Sequence, residues 1–326
     1  MASPSHPALS ETGADASAAS RSTSGQPARA TPATWLITGC SSGIGLSLAH
    51  AALARGDTVL ATVRRPDALA DLQRDYPRHL HVLTLDLTDT PAIRQVVDAA
   101  FQAHGVIDMV VSNAAYGLFG AAEEVSETQI RRQIDTNLVG SIHLIRAVLP
   151  HLRAQGGGHI LQVSSEGGQI AYPNFSLYHA TKWGIEGFVE ATAQEVLPFG
   201  IEMTLIEPGP TRTRFGTALD SPPPMAVYED TPAGVVRRAV QDGSFPLTGD
   251  AKKVAHEMMA LADRHRRPRG NASDKAAAMG SAAGTPAPRR LLLGAASYDR
   301  VRAALVERIA ALDAQRDIAL STEVDD

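Results

Sequence analysis

Short apolar runs alternate with longer amphipathic stretches along most of this chain. Residues 34–37, 58–63, 81–85, 107–111, 159–163 and 201–206 are near-continuous apolar segments of four to six residues. That texture belongs to strands covered on both faces, as in a parallel sheet. Between them the apolar period lengthens: Ile44, Leu48 and Ala52 recur every four residues, and Ile93, Val96, Val97, Ala100 and Phe101 form one helical face. The helices carry their own punctuation. Gly56 and Gly105 stop two of them, Asp89 or Thr90 with Pro91 starts one, and Ser126-Glu127-Thr128-Gln129 is a capping box opening a long helix to about Arg153. Residues 66–76 read as a short helix and 175–197 as a long one. Strand and helix in strict alternation predict an α/β fold, a doubly wound parallel sheet with helices on both faces.

The regularity ends near Pro208. Residues 209–230 contain Pro210 and Pro222-Pro223-Pro224 and read as a mobile substrate loop. Helices are expected over 231–241 and 250–263, a disordered insertion rich in Arg, Gly, Ala and Pro over 264–288, and a seventh strand at Arg290-Leu291-Leu292-Leu293. Val301, Leu305, Ile309 and Leu312 mark a last helix. Residues 1–33 are Ala, Ser, Pro and Thr without periodicity, so a disordered tail is expected, followed by a single domain over 34–326.

Composition narrows the function classes. With 326 residues, 44% hydrophobic and 20% charged, the chain can bury one large core. A net charge of −5 and a pI near 6.1 exclude a general nucleic-acid binder. Apolar runs fall short of the roughly 18 residues of a membrane span. The lone Cys40 excludes internal disulfides and a cysteine zinc site, and fits a reducing, cytoplasmic location. His256-Glu257 lacks a second histidine four residues on, so no metal is expected. Asn271-Ala272-Ser273 matches a glycosylation acceptor without a secretory signal before it. Arg21 and Arg29 among serines suggest a transit peptide, against which Glu11 and Asp15 argue.

Two motifs carry chemistry. Thr38-Gly39-Cys40-Ser41-Ser42-Gly43-Ile44-Gly45 lies between the first strand and its helix, where glycines permit a tight turn and close approach of a pyrophosphate to free helix amides. The same loop spells G-x-S-x-G, the nucleophile elbow of serine hydrolases, but several strands and an oxyanion loop precede that elbow and here a low-complexity tail does. Tyr178 and Lys182 stand one turn apart on one helix face. A cation so placed stabilises a phenolate and fits the tyrosine for acid–base work. Lysine is rare here, four among 30 basic residues, so composition favours a functional pair over a chance one. Ser165 ends the fifth strand, and Asn137, a poor helix former inside the long helix, could hold a water.

Together these residues resemble the short-chain dehydrogenases/reductases. The resemblance spans about 34–215: T-G-x-x-x-G-I-G at Thr38 to Gly45, Asp86 after the third strand, N-A-x at Asn113, then Asn137, Ser165, Tyr178, Lys182 and the Pro208-Gly209 pair with Thr213. It implies a Rossmann fold and a nicotinamide cofactor bound along Thr38, Gly39, Ser41, Ser42, Gly43, Ile44 and Gly45. Arg64 would lie at the adenosine ribose, Asp86 and Leu87 at the adenine, Asn113 and Ala114 along the cofactor, and Pro208, Gly209, Thr211 and Thr213 near the carboxamide. It further implies Tyr178 as general acid/base, Ser165 on the substrate oxygen, Lys182 on the nicotinamide ribose, lowering the Tyr178 pKa, and Asn137 anchoring a relay water. A homodimer or homotetramer is implied as well. Tyr116 to Phe119 and Arg290 to Gly294 resemble the hydroxysteroid and retinol dehydrogenases within the family. A non-catalytic NADP(H) sensor is the alternative, and would not need the Ser165, Tyr178 and Lys182 set.

The second strand ends in Val63-Arg64-Arg65 where an NAD enzyme usually places an acid for the ribose 2′-OH, so NADP(H) is expected. Leu118, Phe119, Ile170, Tyr172, Phe175, Phe215 and Met225 are expected to surround the hydroxyls of Ser165 and Tyr178 and select an apolar carbonyl or alcohol. Glu166, Arg212 and Arg214 are the competing polar signal.

Overall fold

The structure, a computed structural model, describes residues 32–265 and 286–324. Nine strands occur among them: β1 (Thr34–Thr38), β2 (Thr58–Val63), β3 (Leu80–Thr84), β4 (Met109–Ser112), β5 (Gly158–Val163), β6 (Ile201–Pro208), β7 (Thr211–Arg212), β8 (Gly249–Asp250) and β9 (Arg290–Leu293). Seven form one sheet in the order β3-β2-β1-β4-β5-β6-β9, parallel throughout. The two-residue strands β7 and β8 pair separately. The helices are α1 (Gly43–Arg55), α2 (Ala70–Asp75), α3 (Thr90–His104), α4 (Glu127–Ile134), α5 (Gly140–Ala154), α6 (Ser176–Val196), α7 (Arg214–Thr217), α8 (Pro232–Gln241), α9 (Ala251–His265), α10 (Ala295–Asp313) and α11 (Arg316–Leu320).

Side-chain alternation along the strands divides the core in two. Trp35, Ile37, Val59 and Ala61 meet Leu48 and Ala52 of α1 and Met258 and Leu261 of α9 on one face. Leu36, Leu60, Val110, Ile160 and Leu205 meet Ile93 and Val97 of α3, Leu144 and Val148 of α5, and Ile185 and Val189 of α6 on the other. Each fully buried Leu or Ile contributes about 1.5–3 kcal/mol, so both faces must be covered for the sheet to persist. The strand order reverses between β1 and β4, and their carboxyl ends leave a crevice there.

The punctuation forms as expected. Gly56 caps α1 at φ 95°, a left-handed value that favours glycine. Asp89 accepts from the Ala92 amide at 3.0 Å at the start of α3. Both halves of the Ser126–Gln129 capping box are made. Three boundaries differ from the sequence reading. Ala33 is buried, and its amide donates to Asp57 at 2.9 Å, so the domain takes in the end of the expected tail; residues 1–31 lie outside the described residues. The long helix after Ser126 is not uniform: Asp135–Val139 is a π turn between α4 and α5, and Asn137 sits in it. The substrate loop holds β7, α7 and a short turn at Ala226–Tyr228. Most of the expected insertion, 266–285, lies outside the described residues.

Candidate active site

The crevice is a cleft of about 1320 Å³, above the roughly 300–1,000 Å³ usual for a small ligand, so it has room for a dinucleotide and a second molecule. Its floor is the glycine turn. Gly39 has φ 73°, and a Cβ there would lie 2.8 Å from the Ala114 Cα. Gly43 has φ 62° and faces Thr213. A Cβ on Gly45 would meet the Asn113 Nδ2 at 2.5 Å and the Gly39 carbonyl oxygen at 2.6 Å, so α1 sits tight against the turn only because residue 45 is glycine. Asn113 donates from Nδ2 to the Thr38 carbonyl at 2.8 Å, while the Thr38 hydroxyl accepts from the Asn113 and Ala114 amides at 2.9 and 3.1 Å. Ser42 caps α1 without a side-chain hydrogen bond, which leaves its first amides to an anion. The cradle thus fits a pyrophosphate.

Around it, Gly39, Ser41, Ser42, Gly43, Ile44, Arg64, Asp86, Leu87, Asn113, Ala114, Pro208, Gly209, Thr211 and Thr213 all line the cleft. Thr38 and Gly45 do not: they build the turn from behind, a role their hydrogen bonding and packing dictate. Asp86 accepts from the Thr88 amide and hydroxyl at 3.0 and 2.9 Å, and the amide bond holds its carboxyl below the usual range. Arg214 closes over the turn with a hydrogen bond to the Ser41 carbonyl. Among the described residues, β1 is the strand that precedes the G-x-S-x-G turn.

Ser165, Tyr178 and Lys182 line the same cleft. Ser165 follows β5 and its Oγ accepts from the Gly167 amide at 3.0 Å. Tyr178 lies between the rings of Phe175 and Phe215, at centroid distances of 6.1 and 5.5 Å. The Lys182 Nζ donates to the Val163 carbonyl at 3.0 Å and stands 5.6 Å from the Tyr178 ring centroid. Burial pushes the Tyr178 phenol up to about 12; a hydrogen bond with Ser165 opposes this, and the charges of Glu166 and Glu186 reinforce it. Burial lowers Lys182 to about 8, against the attraction of Glu186. Instead of the expected lowering of the phenol by Lys182, desolvation dominates, and it disfavours phenolate and ammonium alike. The Asn137 side chain is bonded to the backbone of Tyr116. Its Oδ1 accepts from the Tyr116 amide at 3.1 Å and its Nδ2 donates to the Tyr116 carbonyl at 2.9 Å, so its side chain ties down the segment after β4.

The expected apolar wall is only partly formed. Phe175, Phe215 and Tyr172 line the cleft. Leu118 and Phe119 turn inward and are buried, because Gly117 and Gly120 bring their segment against Leu219, Phe215 and Pro222, where a Cβ would lie 2.5–2.6 Å from the nearest side chains. Ile170 is buried away from the cleft, and Met225 is 38% exposed outside it. Residues that the sequence reading passed over complete the wall: His179 beside Tyr178, Val240 near the end of α8, and Phe245 and Leu247 from the α8–β8 connection. No motif marks them. Their loops reach the cleft because Gly249 pairs with Thr211 in the β7–β8 ribbon.

The profile of the family described as short chain dehydrogenase matches residues 33–223, more than half of the chain. The chain belongs to the short-chain dehydrogenase family. It is 37% identical over 229 residues to oxidoreductase BOA17 of Botryotinia fuckeliana, covering 70% of this chain and 83% of that protein. It is 36% identical over 189 residues to 17-beta-hydroxysteroid dehydrogenase type 1 of Homo sapiens, covering 55% of this chain and 57% of that protein. A crystal structure of a short-chain dehydrogenase from Streptomyces avermitilis superposes with a TM-score of 0.78 at 33% identity, covering 90% of this chain and 100% of that one. The protein is accordingly an oxidoreductase of Rossmann architecture.

Proposed function

We propose that this short-chain dehydrogenase transfers hydride between NADP(H) and the carbonyl or alcohol of an apolar substrate, with Tyr178 as general acid/base. The observation that carries the reading is the sharing of one cleft by the phosphate cradle and the Ser165, Tyr178 and Lys182 set. When bound, the nicotinamide supplies or accepts the hydride. The chain's residues do the rest. Ser165 and the Tyr178 phenol present two hydroxyls to one substrate oxygen; in reduction the phenol gives its proton to that oxygen as negative charge develops there. A phenol held near 12 is protonated at neutral pH, the state that reduction requires. Lys182, held at the end of β5 by the Val163 carbonyl, directs its ammonium or amine into the cleft beside the phenol. Phe175 and Phe215 exclude water from the reacting face.

Arg64 and Arg65 line the adenosine end of the cleft, with no acid at the end of β2, and this favours the 2′-phosphate of NADP(H). The aromatic wall and the relationship to a hydroxysteroid dehydrogenase favour a bulky hydrophobic substrate, steroid-like or retinoid-like in size. The test is an assay of NADPH oxidation and NADP⁺ reduction with estrone, estradiol, retinal and retinol against hexoses and short keto acids, each repeated with the unphosphorylated cofactor. Higher kcat/KM for the hydrophobic compounds with the phosphorylated cofactor is expected. A charged or sugar substrate ahead by tenfold would overturn the substrate reading, and equal use of NADH would overturn the cofactor reading.

A further inference from the structure

Behind the reacting hydroxyls lies a buried polar cluster that hydride transfer itself does not call for. Glu166, the residue after Ser165, is only 2% exposed yet lines the cleft. Its Oε1 accepts from the Tyr172 hydroxyl at 2.8 Å and from Arg300 at 3.0 Å, and its Oε2 accepts from the same Arg300 nitrogen at 2.8 Å. Arg300 comes from α10, beyond the stretch that matches the family profile. α10 approaches so closely that a Cβ on Gly209 would lie 1.9 Å from the Ser297 Oγ and 3.7 Å from the Glu166 Oε2. Tyr172 packs on His179 at 5.6 Å, and His179 on Tyr178 at 5.9 Å, which ties the cluster to the phenol.

We propose that Glu166 and Arg300 are positioning residues for Tyr178: the buried carboxylate sets how readily the phenol gives up its proton, and the guanidinium fixes that carboxylate and offsets its charge. This rests on the reading of Tyr178 as the acid/base. Removing a carboxylate from water is costly unless it is paired, and the ion pair with Arg300 meets that need. A negative charge so near the cleft opposes a phenolate, and Glu166 thereby adds to the upward push that burial gives Tyr178. The other titratable groups around the phenol are Lys182 on its own helix, His179 beside it and Tyr172 in the cleft wall; Glu186, one turn beyond Lys182, is bonded to Ser164 and Arg290, acts on the phenol through its charge, and has Glu207 behind it across Arg290. The Glu166–Arg300 pair joins the segment after Ser165 to α10, and Arg308 of the same helix donates to the Gln169 carbonyl a few residues on.

The test uses the full chain with NADP⁺ bound. Tyr178 is titrated by phenolate ultraviolet absorbance, each variant being read against the same variant carrying Tyr178→Phe. Glu166→Gln is expected to make the phenol about tenfold more acidic, about one pH unit. Arg300→Gln should make it less acidic, Arg300→Lys should restore the native titration, and Glu166→Gln with Arg300→Gln should follow Glu166→Gln alone. The pH profile of estradiol oxidation should move in the same directions. Coincident titrations of native, Glu166→Gln and Arg300→Gln proteins, with native circular dichroism, would overturn the proposal, as would shifts of one sign in both. The titration needs no turnover, so it stands apart from the functional reading, which fails instead if Tyr178→Phe remains fully active.

Discussion

Arg64 follows β2 on the open rim of the cleft, exposed and free to meet an anion. A single charge-assisted contact is worth about 1.5–3 kcal/mol, so Arg64→Ala should weaken NADPH binding by roughly ten- to a hundredfold and leave NADH nearly unchanged, as read by fluorescence titration. Loss of both affinities alike would assign Arg64 to structure. Glu207 gives a second test at this scale. It is fully buried on β6 and bonded by Gln169 and by Arg290 at 2.6 Å, and burial, reinforced by Glu186, raises its carboxyl to about 7. The folded state therefore holds a proton that the unfolded chain releases near pH 4.5. Stability from this group is present below that pH and is lost as pH rises toward 7. Between pH 5 and 8 the native protein should lose on the order of 1–3 kcal/mol relative to Glu207→Gln in urea unfolding. Parallel pH dependence of the two proteins would contradict this. The sequence displays Glu207 as one of three polar residues in a largely apolar strand, beside Glu202 and Thr204, and carries no sign of its partners, because Arg290 and Gln169 arrive from distant segments.

At the scale of elements, the joint between β1 and α1 depends on a side chain that is not there. Gly45→Ala would drive a methyl into the Asn113 amide and the Gly39 carbonyl, and overpacking of this kind costs about 1–3 kcal/mol. Because the strain falls on the phosphate cradle, NADPH affinity should drop tenfold or more while the melting temperature moves by only a few degrees; calorimetry with and without NADPH separates the two. An unchanged affinity would mean that the turn yields freely. This joint was legible in the sequence, since glycine spacing, strand and helix period agree on it. The π turn around Asn137 was not. A run of good helix pattern conceals one extra residue per turn, and the pairing of Asn137 with Tyr116 depends on a contact between segments some twenty residues apart. The inward turn of Leu118 and Phe119 was hidden for the same reason: their apolarity fits a pocket wall and a core equally well, and only the packing of Gly117 and Gly120 decides.

At the scale of the molecule, the parallel sheet followed from the alternation of apolar runs and helices, including the seventh strand at Arg290–Leu293. The contribution of α10 did not, since nothing local in 295–313 points to Glu166 more than a hundred residues earlier. In the proposed reaction, one cleft delivers a hydride and a proton to the same carbonyl. NADPH carrying two deuterium atoms at the nicotinamide C4, mixed with the native protein and the carbonyl compound of the assay panel that it reduces fastest, should yield the alcohol labelled at the new carbinol carbon. Tyr178→Phe should bind NADPH as tightly and transfer label about 10² times more slowly or less. Label transfer at the native rate by Tyr178→Phe would contradict the account, as would native turnover with no deuterium on the product carbon.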